Sequence, residues 1–248
     1  MRRILRYLAA AALAGGGFFT LYEQIEAPDT QLFGRTLVAG SGHVVALTFD
    51  DGPNSETTPR LLDVLERNRV RATFFVVGRA VLRHPEIVRR MLRDGDEVGN
   101  HTQTHAHLNF LFTRQALGKE IDAAQAAIAA ATGKTARYLR PPFGARDFAA
   151  IDAAHRRGLC VVMWTAMLGD EPAGAGSAEV ARQLLRQVRD GAIIVMHDGD
   201  QGRPGRGGRS YESGAVEMVI AQLRAQGYRF LTISQLERTL SSGAADHA

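Results

Sequence analysis

The stretch VVALTFDDGP, residues 44–53, decides the fold class. Its first six residues are apolar or β-branched, which predicts a strand, and a Gly-Pro turn ends it. Two carboxylates, Asp50 and Asp51, stand where the strand ends. Because side chains alternate along a strand, the two carboxylates would point in opposite directions and would serve two different purposes. Taken alone, the pair could also be a turn or helix-capping feature before Pro53.

Further along the chain, short apolar runs alternate with longer amphipathic stretches, which predicts an α/β domain with a parallel sheet. Polar residues that follow the strands should then collect at one face of the sheet, where α/β proteins place their chemistry. The pattern fits a closed barrel and an open doubly wound sheet equally well. Strands are predicted at 44–49, 72–77, 97–100, 136–140, 159–165, 192–197 and 229–233, and helices near 59–65 and 85–92 and at 113–131, 148–157, 178–188 and 215–225.

The composition is that of a globular protein. Of the 248 residues, 45% are hydrophobic and 23% charged, with a net charge of +4, and this hydrophobic content excludes a disordered chain. Only one long uncharged apolar run is present, which excludes a multi-pass membrane protein. A single cysteine, Cys160, excludes an internal disulfide framework and a cysteine-based structural zinc site. The sequence has no dense basic stripe with interleaved aromatic residues, so we expect no nucleic-acid binding.

The N-terminus has the pattern of an export signal. Arg2, Arg3 and Arg6 precede an uncharged stretch of 16 residues, 7–22, which predicts a signal peptide or a membrane anchor. A buried helix of the domain fits less well, because the apolar residues cover every face. We therefore expect a cell-envelope location, either anchored facing outside the cytoplasm or secreted. The expected organisation is a signal or anchor over 1–27, a tether over 28–42, one domain over 43–240 and a disordered tail over 241–248.

Two histidines have the spacing of metal ligands. His101 and His105 are four residues apart, which places both imidazoles on one side of a helical turn or a compact loop. Two imidazoles and one carboxylate of the Asp50–Asp51 pair form a typical zinc set that leaves positions open for water and substrate. An isolated pair of this spacing could equally be two solvated histidines.

Taken in order, five motifs give the chain a specific resemblance. It resembles the polysaccharide deacetylases, carbohydrate esterase family 4, which share the domain of the rhizobial chitooligosaccharide deacetylase. The similarity spans roughly residues 34–240 and implies a distorted (β/α) barrel with about seven parallel strands. The motifs are TFDDG at 48–52, HTQTH at 101–105, RPPFG at 140–144, the segment 164–170, and VMHDG at 195–199.

The resemblance assigns the metal ligands and the base. Asp51, His101 and His105 would bind a divalent metal, with zinc favoured and cobalt or nickel as alternatives. Asp50 would be the general base that takes a proton from the attacking water. Arg140 would hold Asp50 through a charge-assisted hydrogen bond.

The resemblance also assigns the acid and the pocket. His197 would protonate the departing amine, and Asp170 would pair with His197 and keep it protonated. A backbone N–H near Phe143 would help to stabilise the oxyanion. Two positions depart from the family pattern, since Glu171 stands where Trp is frequent and Val195 where Leu is common. The substrate-binding residues implied are Pro142, Phe143, Trp164 and Val195, although Trp164 also fits a core position.

These implications predict a hydrolase that removes N-acetyl groups from an N-acetylglucosamine polymer, either peptidoglycan or a chitin-like glycan. The partner would be the acetylated polysaccharide itself, and no oligomeric state is predicted. One alternative keeps the chemistry but acts on O-acetyl xylan or an exopolysaccharide. The other is a catalytically silent envelope protein that binds glycan.

Overall fold

A curled sheet of parallel strands forms the centre of the domain. The structure, a computed structural model, describes residues 24, 27–105, 114–167, 176–203 and 212–243. The strands follow the order β5-β4-β3-β2-β1-β7-β6, with β8 also paired to β1, and every pairing is parallel. They are β1 Val44–Asp50, β2 Thr73–Val76, β3 Glu97–Asn100, β4 Tyr138–Leu139, β5 Cys160–Val161, β6 Ala166–Met167, β7 Ala192–His197 and β8 Arg229–Phe230.

Helices connect the strands, as parallel pairing requires. A short 3-10 turn, Pro142–Gly144, follows β4. The helices are α1 Thr57–Arg67, α2 Gly78–Arg83, α3 Pro85–Asp94, α4 Arg114–Thr132, α5 Phe148–His155, α6 Ser177–Leu185, α7 Glu212–Ala225 and α8 Ile233–Gly243. The predicted α/β class with parallel strands is therefore confirmed, and the curled, half-barrel sheet agrees with the distorted barrel of about seven strands that the resemblance implied.

β1 lies at the middle of the sheet and is buried along its whole length. Alternate residues of β1 pack on opposite faces. Val45, Leu47 and Phe49 join one apolar cluster, and Val44 and Ala46 join a second. Apolar layers on both faces explain why this strand reads as a continuous apolar run instead of alternating with polar residues.

The register of the paired strands brings the C-terminal ends of β1, β3 and β7 to one edge of the sheet. Six consecutive residues of β1, from Val45 to Asp50, pair with Ala192 to His197 of β7. On the other side of β1, Asp50 pairs with Phe75 of β2, and Val76 of β2 in turn pairs with Asn100 of β3. The residues that follow β1, β3 and β7 therefore meet at one edge of the sheet.

Some elements differ from the sequence-based prediction. The observed β3 and β7 match the predicted bounds, but β4 and β5 have only two residues each where five and seven were expected. The predicted strand at 229–233 stops at Phe230, because the side chain of Gln235 accepts the Thr232 N–H and α8 begins at Ile233. The short elements β6 and α2 and the helix α8 were not predicted.

Much of the segment predicted as a tether packs on the domain. Phe33 and Leu37 are buried, and the Leu37 N–H donates to the Val161 carbonyl at 2.8 Å. Bridges at Leu37 and Ala39 link this segment to the β5 side and the β7 side of the sheet. The boundary expected at residue 43 thus lies beyond a packed segment.

The predicted signal or anchor segment lies outside the described residues apart from Gln24 and Ala27, and so do residues 244–248 of the predicted tail. Of the helices in the described ranges, none combines the length and the apolar character needed to cross a membrane.

Candidate active site

The two carboxylates at the end of β1 have different partners. Asp50 is the last residue of the strand, and its Oδ1 accepts a hydrogen bond from Arg140 Nη1 at 2.8 Å. Asp51 has a left-handed backbone with φ of 74°, a conformation uncommon outside glycine. Its Oδ1 lies 2.9 Å from His105 Nε2 and 3.5 Å from His101 Nε2. Adjacent carboxylates therefore face an arginine and a pair of imidazoles, respectively.

Asp51, His101 and His105 form a buried group whose ligand atoms all lie within 4.8 Å of one another. Asp51 Oδ1 is buried, and no hydrogen bond of good geometry reaches it from the described part of the chain. His101 Nδ1 lies 2.8 Å from the Arg140 carbonyl, a contact in which Nδ1 donates, and Nε2 is the ring nitrogen that faces Asp51. One carboxylate oxygen and two imidazole nitrogens that converge in this way fit a divalent transition metal.

A compact loop presents the two imidazoles. His101 directly follows β3, and both Thr102 and His105 have left-handed backbones, with φ of 67° and 59°. Asn100 Oδ1 accepts the Thr102 N–H at 2.8 Å, and Glu120 of α4 accepts the Thr104 N–H at 2.8 Å. The spacing of four therefore reflects a tight turn between β3 and α4, and the helical alternative does not apply.

The electrostatics of the group follow from burial and mutual contact. Burial alone would raise the pKa of Asp51, but the two imidazoles outweigh it and hold this pKa well below its ordinary value. Burial opposes the charged form of His101, yet the carboxylates of Asp50 and Asp51 raise its pKa. Burial lowers the pKa of His105, and the neighbouring His101 lowers it further. The group thus favours an ionised carboxylate.

Arg140 is a fully buried cation at the end of β4. Nη1 donates to Asp50 Oδ1 at 2.8 Å and to Thr48 Oγ1 at 2.7 Å, and Nη2 donates to the Met163 carbonyl at 3.1 Å. The guanidinium carbon also lies 4.1 Å from the centre of the Phe75 ring. A buried charge with this many partners holds the Asp50 carboxylate in one orientation.

His197 ends β7 and is the register partner of Asp50. The two residues therefore lie side by side on neighbouring strands, at the same edge of the sheet as the group of Asp51, His101 and His105 (the metal group). Asp170 and Glu171 lie outside the described residues, so the predicted pairing of Asp170 with His197 stays a prediction.

The predicted pocket residues divide into two kinds. Phe143 has a left-handed backbone with φ of 60°, is 56% exposed, and places its ring centre 4.8 Å from that of His105. Its neighbour Pro142 is buried in the same turn. Trp164 is only 8% exposed, and Val195 is buried; both belong to the same apolar cluster as Val44 and Ala46. This burial favours the core alternative for Trp164. Within the described ranges, Phe143 is an aromatic residue that lies beside His105.

Asp198 was not among the predicted site residues. It is fully buried directly after His197, and Thr58 Oγ1 donates to its Oδ2 at 2.6 Å. Burial raises the pKa of Asp198 to about 7. The signal was present in the motif VMHDG, where an acidic residue stands between the histidine and a glycine.

Sequence comparison relates the chain to known deacetylases. A sequence model of the family described as polysaccharide deacetylase matches residues 38–162. The peptidoglycan-N-acetylglucosamine deacetylase PgdA of Listeria monocytogenes is 35% identical over 193 residues, which are 77% of this chain and 38% of that protein. The chain thus spans less than half the length of this relative. A chitooligosaccharide deacetylase of Bradyrhizobium is 34% identical over 197 residues, 77% of this chain and 90% of that protein.

Similarity of fold extends to a solved structure. BA3943 of Bacillus anthracis, described as a CE4 family pseudoenzyme, superposes with a TM-score of 0.69 at 26% identity. The match covers 78% of this chain and 65% of that one. Because this fold occurs in a protein described as a pseudoenzyme, the argument for catalysis rests on the site residues.

Proposed function

Because the chain belongs to the polysaccharide deacetylase family, we propose that it is a metal-dependent hydrolase that removes N-acetyl groups from a polysaccharide containing N-acetylglucosamine. One observation carries the proposal. The buried Asp51, His101 and His105 group lies beside Asp50, which is paired with a buried arginine and in register with His197. The residues proposed as metal ligands, base and acid therefore lie at one edge of the sheet.

Asp51, His101 and His105 would hold the metal ion, with zinc favoured and cobalt or nickel also suited to this ligand set. When bound, such an ion supplies a Lewis acid that polarises the acetamide carbonyl and makes a neighbouring water more acidic.

The residues of the chain then carry the protons. Asp50 accepts a proton from the water whose oxygen bonds to the acetyl carbon, and Arg140 keeps the Asp50 carboxylate in place for this step. His197 donates a proton to the glucosamine nitrogen as the carbon–nitrogen bond breaks. The products are acetate and a free amine, and one water is consumed. The predicted pairing of Asp170 with His197 would keep the acid charged.

The substrate class is proposed from the relatives and the N-terminus. Peptidoglycan and chitin-like glycans are the leading substrates, since the similar proteins are named as deacetylases of peptidoglycan and of chitooligosaccharides. The basic and apolar N-terminal segment supports action outside the cytoplasm, either secreted or anchored. Deacetylation of O-acetyl xylan or an exopolysaccharide would use the same residues, so only an assay distinguishes these substrates from peptidoglycan and chitin-like glycans.

Acetate release from a panel of acetylated glycans tests the proposal. The full chain is assayed as purified, after chelation and after zinc is returned, with Asp50→Asn as the control. We expect zinc-dependent acetate from at least one N-acetylglucosamine polymer and strongly reduced release by the control. A protein that binds zinc and glycan yet releases no acetate from any member of the panel would support the silent glycan-binding alternative.

A further inference from the structure

The loop that carries Asp51 is joined to the segment after β7 by a set of hydrogen bonds centred on Asp198. The Asp198 N–H donates to the Asp50 carbonyl at 3.1 Å. Thr57 Oγ1 donates to the Asp198 carbonyl at 2.5 Å, and Thr58 Oγ1 donates to the Asp198 carboxylate at 2.6 Å. One residue therefore contacts the end of β1 and the start of α1, on either side of Asp51.

Close packing surrounds these bonds. A methyl group added at Gly52 would lie 2.3 Å from Asp198 Oδ2, and one added at Gly199 would lie 2.2 Å from the Asp51 carbonyl oxygen. The Asp198 carboxylate thus packs directly against Gly52, and the Gly199 backbone packs directly against the Asp51 carbonyl. The Gln201 N–H also donates to the Asp51 carbonyl at 3.1 Å. The left-handed turn at Asp51 is held from the β7 side.

Resting on the proposed function, we propose that Asp198 is a positioning residue that holds the Asp50–Gly52 turn so that the Asp51 carboxylate meets His101 and His105. It acts through Asp51 and is not itself a member of the group of converging ligand atoms. Partners that orient metal ligands commonly contribute 10- to 100-fold to metal affinity.

The chemistry of Asp198 supports a positioning role over a purely packing one. Its side chain is fully buried, and Thr58 is the side chain that hydrogen-bonds its carboxylate. Asp198 Oδ1 has no hydrogen-bond partner within the part of the chain that the structure describes. A buried carboxylate with so few donors costs stability relative to an apolar residue of similar size. Its value to the protein therefore lies in the geometry it imposes on the neighbouring turn.

Zinc affinity of the full chain, measured without substrate, tests the proposal. Thr58→Val removes the donor to Asp198 and the acceptor of the Asn54 N–H, whereas Thr58→Ser keeps both. Asp198→Ala removes the carboxylate acceptor and leaves the Asn54 contact in place. We expect Thr58→Val and Asp198→Ala to weaken zinc binding by about 10- to 100-fold, and Thr58→Ser to retain wild-type affinity. The double variant should bind about as weakly as either single one, because both changes break the same bond.

Thr73→Val is the matched control. Thr73 is equally buried, its hydroxyl donates to Glu97 at 3.0 Å, and it lies at the start of β2, away from the metal group. We expect this variant to lower the melting temperature of the metal-free protein without changing zinc affinity. The cobalt absorption spectrum should shift in Thr58→Val and stay unchanged in Thr73→Val.

Two results would overturn the inference. Wild-type zinc affinity and an unchanged cobalt spectrum in folded Thr58→Val would show that the bond only stabilises the fold. Equal weakening by Thr58→Val and Thr58→Ser would show that the hydroxyl is not responsible. Should Asp198→Ala not fold, the two Thr58 variants still decide. Absence of zinc binding by the wild-type chain would instead contradict the proposed function.

Discussion

Asp50 and His197 are register partners on the two neighbouring parallel strands β1 and β7. Paired residues of neighbouring strands lie about 5 Å apart and their side chains leave the same face of the sheet. The proposed base and the proposed acid are therefore positioned by the pairing of β1 with β7, the longest among the strands that the structure describes. Arg140, which directly follows β4, orients the Asp50 carboxylate. Asp51, the residue after Asp50, belongs to the group that it forms with His101 and His105.

Asp50→Asn should lower the turnover of acetylated glycan by about 100-fold or more while zinc binding stays intact, because the amide cannot accept the water proton and Asp51 is unchanged. Acetate release and metal content of the same preparation check both parts. Near-normal turnover would remove Asp50 from the role of base.

His105→Ala should abolish stoichiometric zinc binding, because one of three converging ligand atoms is lost. His155→Ala is the control, since His155 is exposed at the end of α5. Metal analysis after dialysis measures both. Full zinc occupancy in His105→Ala would mean that the ligand set has been misassigned.

Arg140→Met should destabilise the domain by about 3–5 kcal/mol, because it leaves the buried Asp50 carboxylate without its charged partner. Adding Asp50→Asn to this variant should recover part of the loss, since no unpaired charge then remains. Urea unfolding curves give the free energies. Arg156→Met, which breaks an exposed pair with Asp152, should cost less than about 1 kcal/mol. Similar losses for the two arginines would contradict the prediction.

Asp96→Asn should stabilise the domain at neutral pH but not at pH 3.5. Burial raises the pKa of Asp96 to about 6 in the folded state, so its contribution to stability is present at low pH and is lost as the pH rises through that value. The Ala72 N–H that donates to Asp96 at 2.8 Å can still find an acceptor in asparagine. The gain at pH 8 should approach about 3 kcal/mol. A difference between variant and wild type that does not change with pH in urea unfolding would contradict this.

Truncation tests where the domain begins. A chain starting at residue 27 should fold and keep its activity, because it retains the Ala27 and Thr30 carbonyls that accept from Arg146 and the buried Phe33 and Leu37. A chain starting at residue 41 should have a markedly lower melting temperature, because it loses these contacts and the bridges to both sides of the sheet. Equal melting temperatures would show that residues 28–40 are a tether, as the sequence predicted.

The well-predicted elements have strong local patterns. β1 and β7 are largely apolar runs, and their observed bounds agree with the prediction to within one residue. β3 also matches its predicted bounds, although its sequence, EVGN, has a weak pattern. The two-residue strands β4, β5 and β6 depend on pairing with distant neighbours. The local pattern therefore overestimated the lengths of β4 and β5 and did not predict β6. The segment 28–42 reads as a linker, because only its contacts with β5 and β7 reveal that it is packed.

The sequence alone determined the family, the parallel α/β class and the residue types available for a metal, a base and an acid. It could do so because apolar pattern and ligand chemistry are local properties of the chain and because the motifs occur in order. From the residues alone, either carboxylate could join the histidines, and the resemblance assigned Asp51 to them and Arg140 to Asp50. The tertiary structure brings these side chains into contact and adds the hydrogen bonds by which Asp198 holds the Asp50–Gly52 turn. These relations depend on strand register and on left-handed turns at the strand ends, which join residues distant in the chain and leave no local trace.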